Sequence, residues 1–354
     1  MSEALLAQLV AHPGDLEARR IYGDALGELG DPRGELIAIS CAPAERRTPE
    51  LAAREAALVT QLGDELLERV LARGSLRVDW RHGFVDAIHY DYEAGQPVDT
   101  LARLAAEPAL RLVRAVVVSA CEMDATGTLG AVLDELVRAA PAVPRLVDIE
   151  VYQAPNFGSP WYTGAIDVGD VAPLIVAYPR LERLGIGGAN VRYGDGDRSG
   201  ARPLALPALR DLTATHLDRT AIAALVELRT PPLDELTLGF GNYVGVREAG
   251  IPLLAASSFA PRRLELMGGH FHANVFHALR GAPLASRLDT FALWSRLTTD
   301  DLRPIIDWAQ HAPHVTRIEL DTQRLARGQL RDLERALGPR LAPPRPPKRA
   351  MQLW

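Results

Sequence analysis

The chain has 354 residues, of which 47% are apolar and 24% are charged, and this balance excludes wholesale disorder. Its net charge of −6 provides no overall basic field for a nucleic-acid backbone, so we expect no nucleic-acid partner. Two cysteines, Cys41 and Cys121, are too few for a disulfide framework and indicate a reducing, cytoplasmic compartment.

The sequence shows no sign of membrane targeting. Glu3 stands where a signal peptide would carry positive charge, and Gln8 interrupts the first apolar run. No apolar run of about 18 residues occurs, so we expect no membrane span and no membrane partner. These features also favour the cytoplasm.

The first 76 residues have a helical pattern and predict an α-helical capping domain. Asp15 is predicted to be the N-cap of a helix that extends to Leu29. Residues 34–40 predict a short helix. Residues 49–73 predict a long one, because their apolar residues recur in steps of three or four.

A short pattern recurs between residues 80 and 339: apolar, two variable, apolar, one variable, apolar. Each occurrence predicts a short strand whose apolar side chains point to one side. Helical segments lie between the predicted strands, and a proline that ends the helix often precedes the next strand. The middle positions of the pattern are 88, 115, 149, 184, 212, 236, 264, 291 and 318.

This alternation of strand and helix predicts an α/β solenoid with parallel strands on the concave face and helices on the convex face. We expect the middle side chains to be nearly fully buried and aligned in one column, as for Leu184, Leu212, Leu236 and Phe291. Residues 340–354 predict an extended tail, because four cations and no acids stand among four prolines. Beyond about Pro343 we expect the tail to add little to stability.

Three segments resemble leucine-rich repeats, specifically the long strand–helix repeats of ribonuclease inhibitor: PRLERLGI, PPLDELTL and PHVTRIEL. The resemblance covers roughly residues 80–322 and implies the same solenoid. The chain departs from the family pattern because the asparagine three residues after the last strand position is missing. The residues at that place include Ala154, Ala189, Gly241 and Arg296.

The string DLEARRIYGDALGELGDPRGELI, within residues 4–40, resembles the repeat-companion domain that precedes leucine-rich repeats in myxobacterial and planctomycete proteins. Ala25 departs from the tryptophan usual in that domain. The resemblance implies no defined chemistry. It implies an amino-terminal cap that shields the edge of the first strand.

Motifs for catalysis and metal binding are weak. His270, His272 and His277 have no acid or cysteine near them in sequence, which favours packed or solvated histidines. A segment from Asp195 imitates a calcium loop but has Leu206 where a bidentate glutamate is required. Because GxGxxG, GxSxG and HExxH are also absent, we expect no cofactor, no metal site and no enzymatic activity.

The favoured function is a non-catalytic scaffold that binds another protein through the concave surface and flanking loops, an inference that rests partly on fold. Aromatic residues and arginines often dominate the energy of protein interfaces. The alternative is that the aromatic side chains of this face pack against neighbouring repeats and that its charged side chains only keep the surface soluble. For the aromatic residues of the 153–178 loop, binding and packing are equally open. The candidate partner-binding residues are Tyr152, Trp161, Tyr162, Arg183, Glu235, Arg263, Glu265, Met267, Trp294 and Arg317.

We expect Trp294→Ala and Arg263→Glu to weaken partner binding at least tenfold, or about 1.4 kcal/mol, without changing the fold. Two other functions stay open. One is a regulated component of a bacterial signalling or defence pathway, such as a protease substrate or inhibitor, with an accessible loop at 155–164 or 192–203. The other is an enzyme with an unfamiliar site on the solenoid.

Overall fold

The computed structural model of the chain is an α/β protein in which two compact units can be distinguished. The first unit comprises Met1–Glu122 and Ala131–Ile149, and the second comprises Met123–Gly130 and Glu150–Trp354. The structure describes residues 2–70, 75–92, 100–120, 129–153, 167–188, 190–193, 204–240, 244–268, 274–294, 297, 299–323, 325–343 and 345.

The first unit begins with four α-helices, and the last three confirm the predicted helical segments up to residue 70, since residues 71–73 lie outside the described ranges. They are α1 (Ser2–Ala11), α2 (Leu16–Glu28), α3 (Pro32–Ser40) and α4 (Pro49–Val70), with a 3₁₀ turn at Ala44–Arg46. The side chain of Asp15 accepts a hydrogen bond from the main-chain N–H of Ala18 at 2.9 Å, which confirms the predicted N-cap. Asp31 caps α3 through the N–H of Arg33, also at 2.9 Å.

Helices α2 and α3 pack closely because glycines stand where they meet. A Cβ atom added at Gly34 would lie 2.6 Å from the carbonyl oxygen of Gly23 and from the main-chain nitrogen of Gly27. Both are backbone atoms, so no side-chain rotation could relieve the contact. Tyr22 of α2 stacks on Phe84 with ring centroids 5.6 Å apart, and both rings are buried.

The strands of the first unit start with an antiparallel hairpin that the repeat pattern did not predict. Its turn is His82-Gly83, where both residues have positive φ, as a two-residue hairpin turn requires. The second strand of the hairpin pairs in parallel with the next strand. The elements are β1 (Ser75–Arg81), β2 (Phe84–Tyr92), α5 (Thr100–Ala106), a 3₁₀ turn (Pro108–Leu110), β3 (Ala115–Ala120) and α6 (Gly130–Ala139).

In the second unit, strands and helices alternate. Strand β4 (Asp148–Gln153) begins in the first unit, and its last four residues belong to the second. The strands from β5 onward are hydrogen-bonded in chain order and are all parallel. The remaining elements are α7 (Ala172–Ala177), β5 (Arg183–Gly187), β6 (Asp211–Leu217), α8 (Arg219–Leu225), β7 (Glu235–Phe240), α9 (Val244–Ala255), β8 (Arg263–Met267), α10 (Asn274–Leu279), a 3₁₀ turn (Pro283–Ala285), β9 (Thr290–Trp294), α11 (Thr299–His311), β10 (Arg317–Leu320), α12 (Arg327–Leu337), a 3₁₀ turn (Gly338–Arg340) and β11 (Leu341–Ala342).

One apolar column runs through the second unit and confirms the predicted burial. Its members face one another in register, and each is at most 1% exposed: Leu184, Leu212, Leu236, Leu264, Phe291 and Ile318. The Phe291 ring contacts Phe276 of α10 and Trp308 of α11, with centroids 5.9 and 4.9 Å apart. Helices therefore cover the column, and the alternate side chains of the strands lie on the opposite face.

Strand β11 lies inside the segment for which the sequence predicted an extended tail. Leu341 pairs with Ile318, and Ala342 pairs with Glu319. The Arg340 guanidinium donates a hydrogen bond to the carbonyl oxygen of Ala309 at 2.9 Å. Residues 340–342 thus belong to the packed structure of the second unit.

Within the described ranges, the helices include none with the length and apolar character needed to cross a membrane.

Candidate binding site on the polar strand face

The strands of the second unit present a face opposite the leucine column, which we call the polar strand face. Because alternate residues of a strand share a side, three rows of residues lie on it. The first row is Arg183, Asp211, Glu235, Arg263, Thr290 and Arg317; the second is Gly185, Thr213, Thr237, Glu265, Ala292 and Glu319; the third is Gly187, Thr215, Gly239, Met267 and Trp294.

A network of ion pairs, the Arg263 cluster, occupies this face on β8 and β10. The guanidinium of Arg263 donates to both carboxylate oxygens of Glu319, from Nη1 to Oε1 at 3.1 Å and from Nη2 to Oε2 at 2.8 Å. Its Nη2 also donates to Oε2 of Glu265 at 3.0 Å. Arg317 completes the cluster by donating from Nε to Oε1 of Glu319 at 2.6 Å. Such two-pronged, charge-assisted pairs fix the positions of both side chains.

The three central members of the cluster are buried: Arg263 is 8% exposed, Glu265 is 3% exposed and Glu319 is fully buried. Burial by itself would raise the pKa of Glu319, but hydrogen bonds from Arg263 and Arg317 outweigh it and hold that pKa at about 2. For Glu265 burial prevails and raises the pKa above its usual value. Its Oε1 is buried and has no hydrogen-bond partner among the described residues.

This burial changes one expectation drawn from the sequence. Arg263 and Glu265 point away from the leucine column, as predicted, yet their charges are enclosed by the cluster rather than free to meet a partner. Arg263→Glu would bring a third carboxylate next to Glu265 and Glu319. Since buried like charges repel strongly, we now expect this substitution to destabilise the fold.

The other candidate residues of the second unit are more accessible. Arg183 is exposed, and Tyr152, Glu235, Met267, Trp294 and Arg317 are half-buried. Tyr152 lies beside the third row, because a Cβ atom added at Gly187 would be 3.3 Å from its Cβ. Met267 and Trp294 face each other in register on β8 and β9. The indole Nε1 of Trp294 is buried and has no hydrogen-bond partner among the described residues.

Several sequence-based candidates lie outside the described residues. Among the aromatic pair of the 153–178 loop, neither Trp161 nor Tyr162 is described, and the whole of the 155–164 loop lies outside as well. The same holds for residues 194–203, which carry most of the second loop considered for protease access. His270, His272 and Cys121 are also outside the described ranges.

One contact on the polar strand face comes from a residue that the sequence did not indicate. The main-chain N–H of Arg345 donates to Oε2 of Glu319 at 3.2 Å, and its Nε lies 3.6 Å from Oε1. The signal for it was the run of cations without acids after residue 340. The charge pattern alone did not indicate which carboxylate would accept the hydrogen bond from Arg345.

The polar strand face combines paired charges with large apolar side chains. Arginine and carboxylate groups neutralise each other within the Arg263 cluster, and an aromatic–thioether pair stands next to it. In the part of the chain that the structure describes, no group of three or more His, Cys, Asp or Glu is arranged to hold a metal ion. A scan against protein-family models and a search of curated proteins found no match to this chain.

We predict that Glu319 makes the stability of the protein sensitive to acid. Its pKa is about 2 in the folded chain against an ordinary 4.5, so its contribution is complete above pH 4.5 and disappears as the pH falls toward 2. The loss is on the order of 3 kcal/mol. In urea unfolding at a series of pH values, wild type should lose stability across this window more steeply than Glu319→Gln.

The pH range of this comparison matters because Glu265 changes the free energy of unfolding with pH in the opposite direction to Glu319. Its raised pKa means that the folded chain binds a proton more readily than the unfolded chain, so its contribution improves as the pH falls toward 4.5. The comparison therefore belongs below pH 4.5. Equal slopes for wild type and Glu319→Gln in that range would contradict the assignment.

Proposed function

We propose that the chain is a solenoid of leucine-rich-repeat type with an amino-terminal helical cap, and that it is a non-catalytic scaffold that binds another protein. Parallel strands in chain order and the in-register leucine column of the second unit support the solenoid. The four amino-terminal helices support the cap. The binding site that we propose is the polar strand face.

The observation that carries the binding proposal is the Met267–Trp294 pair beside the Arg263 cluster. Both side chains of the pair are half-buried, so part of each is open to a partner. Tryptophan is a residue type that often dominates binding energy. Because ion pairs already fix Arg263 and Arg317, a partner meets a preorganised surface and little side-chain freedom remains to be lost on binding.

The electrostatics of the face favour binding over catalysis. The strongest pKa shifts there belong to Arg263 and Glu319, which bond to each other. Ion pairs within a structural network perturb pKa values without any catalytic role. With its net charge of −6, the chain is proposed to act on a protein rather than a nucleic acid, in the cytoplasm and without a cofactor.

The test is capture of the partner by immobilised protein from a lysate of the native host, with quantification by mass spectrometry and titration of the captured protein. Trp294→Ala should weaken binding at least tenfold, about 1.4 kcal/mol, because it removes the aromatic contact. The matched control is Val176→Ala, which truncates an exposed apolar side chain on the helix α7. It should bind like wild type.

Circular dichroism and the melting temperature establish that the Trp294→Ala variant is folded. A folded variant that captures and binds the partner as wild type does would contradict the proposed site. Equal losses in Trp294→Ala and Val176→Ala would contradict it as well, since the effect would then not be specific to this face.

A further inference from the structure

We infer that the carboxy-terminal segment, residues 343–354, is an intramolecular ligand of the polar strand face, anchored by Arg345 on Glu319 and displaced when the partner binds. This inference rests on the proposed function, because it describes the regulation of the same face. Its anchor is within the described residues, and its charge and length match the surface that it would cover.

The anchor is a specific contact. Strand β11 ends at Ala342, which pairs with Glu319 at the edge of the sheet. Three residues later in the sequence, the main-chain N–H of Arg345 donates to Oε2 of the same Glu319. The Arg345 side chain adds a second, longer contact of 3.6 Å from Nε to Oε1. Glu319 thus receives donors from this segment as well as from Arg263 and Arg317.

The charges of segment and surface are complementary. Residues 343–354 contain three cations, Arg345, Lys348 and Arg349, and no acid. The rows of the polar strand face hold four carboxylates, Asp211, Glu235, Glu265 and Glu319, and three guanidinium groups, Arg183, Arg263 and Arg317. The surface therefore carries an excess negative charge that a cationic segment neutralises.

A second observation points to a ligand next to the anchor. Oε1 of Glu265 is buried, with the residue 3% exposed, and it has no hydrogen-bond partner among the described residues. Nε1 of Trp294 is likewise buried without a partner among them. An acceptor and a donor on adjacent strands suit an extended peptide, since its backbone offers one N–H and one C=O per residue.

The segment is long enough to cover the Met267–Trp294 pair. Nine residues follow Arg345, and an extended chain spans up to about 3.3 Å per residue, or roughly 30 Å in total. Neighbouring strands are about 4.8 Å apart, so β8 lies only about 10 Å from β10.

A tethered ligand competes strongly even when its contacts are weak. Tethering gives the segment an effective concentration in the millimolar range, so that a partner must displace it. Weakening the Arg345 anchor should therefore open the face to a free peptide that carries the same sequence.

The experiment uses the full-length chain and a fluorescent synthetic peptide with the sequence of residues 343–354, with binding followed by anisotropy. The peptide should bind Arg345→Ala about threefold to fivefold more tightly than it binds wild type, because alanine removes the exposed ion pair with Glu319 and keeps the main-chain hydrogen bond. The matched control is Arg335→Ala, which removes an exposed arginine of α12 that pairs with Asp332. It should bind the peptide as weakly as wild type does.

A second peptide, with alanine in place of Arg345, should bind the Arg345→Ala protein about threefold to fivefold less tightly than the first peptide, because it lacks the same ion pair. Equal affinity of the first peptide for wild type and Arg345→Ala would overturn the inference, as would no detectable binding to Arg345→Ala. Arg345 is exposed, so the variant retains the packing of the fold, and its melting temperature verifies this.

The inference and the proposed function fail separately. Suppose that Trp294→Ala no longer binds the partner but the peptide does not bind the Arg345→Ala protein. The proposed binding face is then supported, and the inference of an intramolecular ligand is wrong. If the peptide binds as expected but Trp294→Ala captures the partner normally, the segment occupies the face and the partner binds elsewhere, so displacement by the partner is wrong.

Discussion

Arg263→Met should lower the free energy of unfolding by about 3–5 kcal/mol at neutral pH, because it leaves two buried carboxylates without their main partner. Methionine preserves much of the length of the side chain, so that the effect reports the lost charge and hydrogen bonds rather than a large cavity. Arg263 makes three hydrogen bonds with Glu265 and Glu319. Urea unfolding followed by circular dichroism measures the change.

The neighbouring residue provides a matched control. Arg262 pairs with Asp289 at 3.1 Å, but its side chain is 62% exposed. An exposed ion pair contributes about 0–1 kcal/mol, so Arg262→Met should change stability by no more than that. Comparable losses for the two variants would show that the Arg263 cluster is no more important than a surface pair.

Leu236→Ala should destabilise the protein by about 2–5 kcal/mol, through lost transfer free energy and through the cavity it leaves in the column. Leu236 is fully buried and faces Leu212 and Leu264 on the adjacent strands. Thermal and urea unfolding measure the effect.

The control for Leu236→Ala makes the same truncation at the surface. Leu253 of α9 is exposed, so Leu253→Ala should change stability by about 0.5 kcal/mol or less. A cost below about 1 kcal/mol for Leu236→Ala would mean that the column relaxes around the missing methyl groups and does not hold the strands rigidly.

Much of the second unit could be predicted from the sequence because its signals are local. The apolar residue at each middle position recurs every 24 to 28 residues from Leu184 to Ile318, and alternation places it on one face. The cap of α2 could also be predicted, since Asp15 bonds to a residue only three positions away. Strand β1 was not predicted, because it pairs backward through His82-Gly83 and has no place in the parallel repeat.

The candidate site was harder to predict, since its contacts join residues that are far apart in sequence. Arg263 and Glu319 are separated by 56 residues, and Arg345 and Glu319 by 26. The alternation of each strand indicates that these side chains share a face, but not which charges meet. Burial of Arg263 follows from partners on other strands, so no local pattern distinguishes it from the exposed Arg262 beside it.

The order of the strands in the second unit also bears on how the chain folds as it is synthesised. Each strand from β5 to β10 pairs with its neighbour in the chain, and Leu236 and Leu264, for example, are only 28 residues apart. A nascent chain can therefore add strands one at a time. The Arg263 cluster is an exception to this stepwise assembly. Arg263 leaves the ribosome long before Glu319, so its ion pair with Glu319 forms only after the later strand has been synthesised.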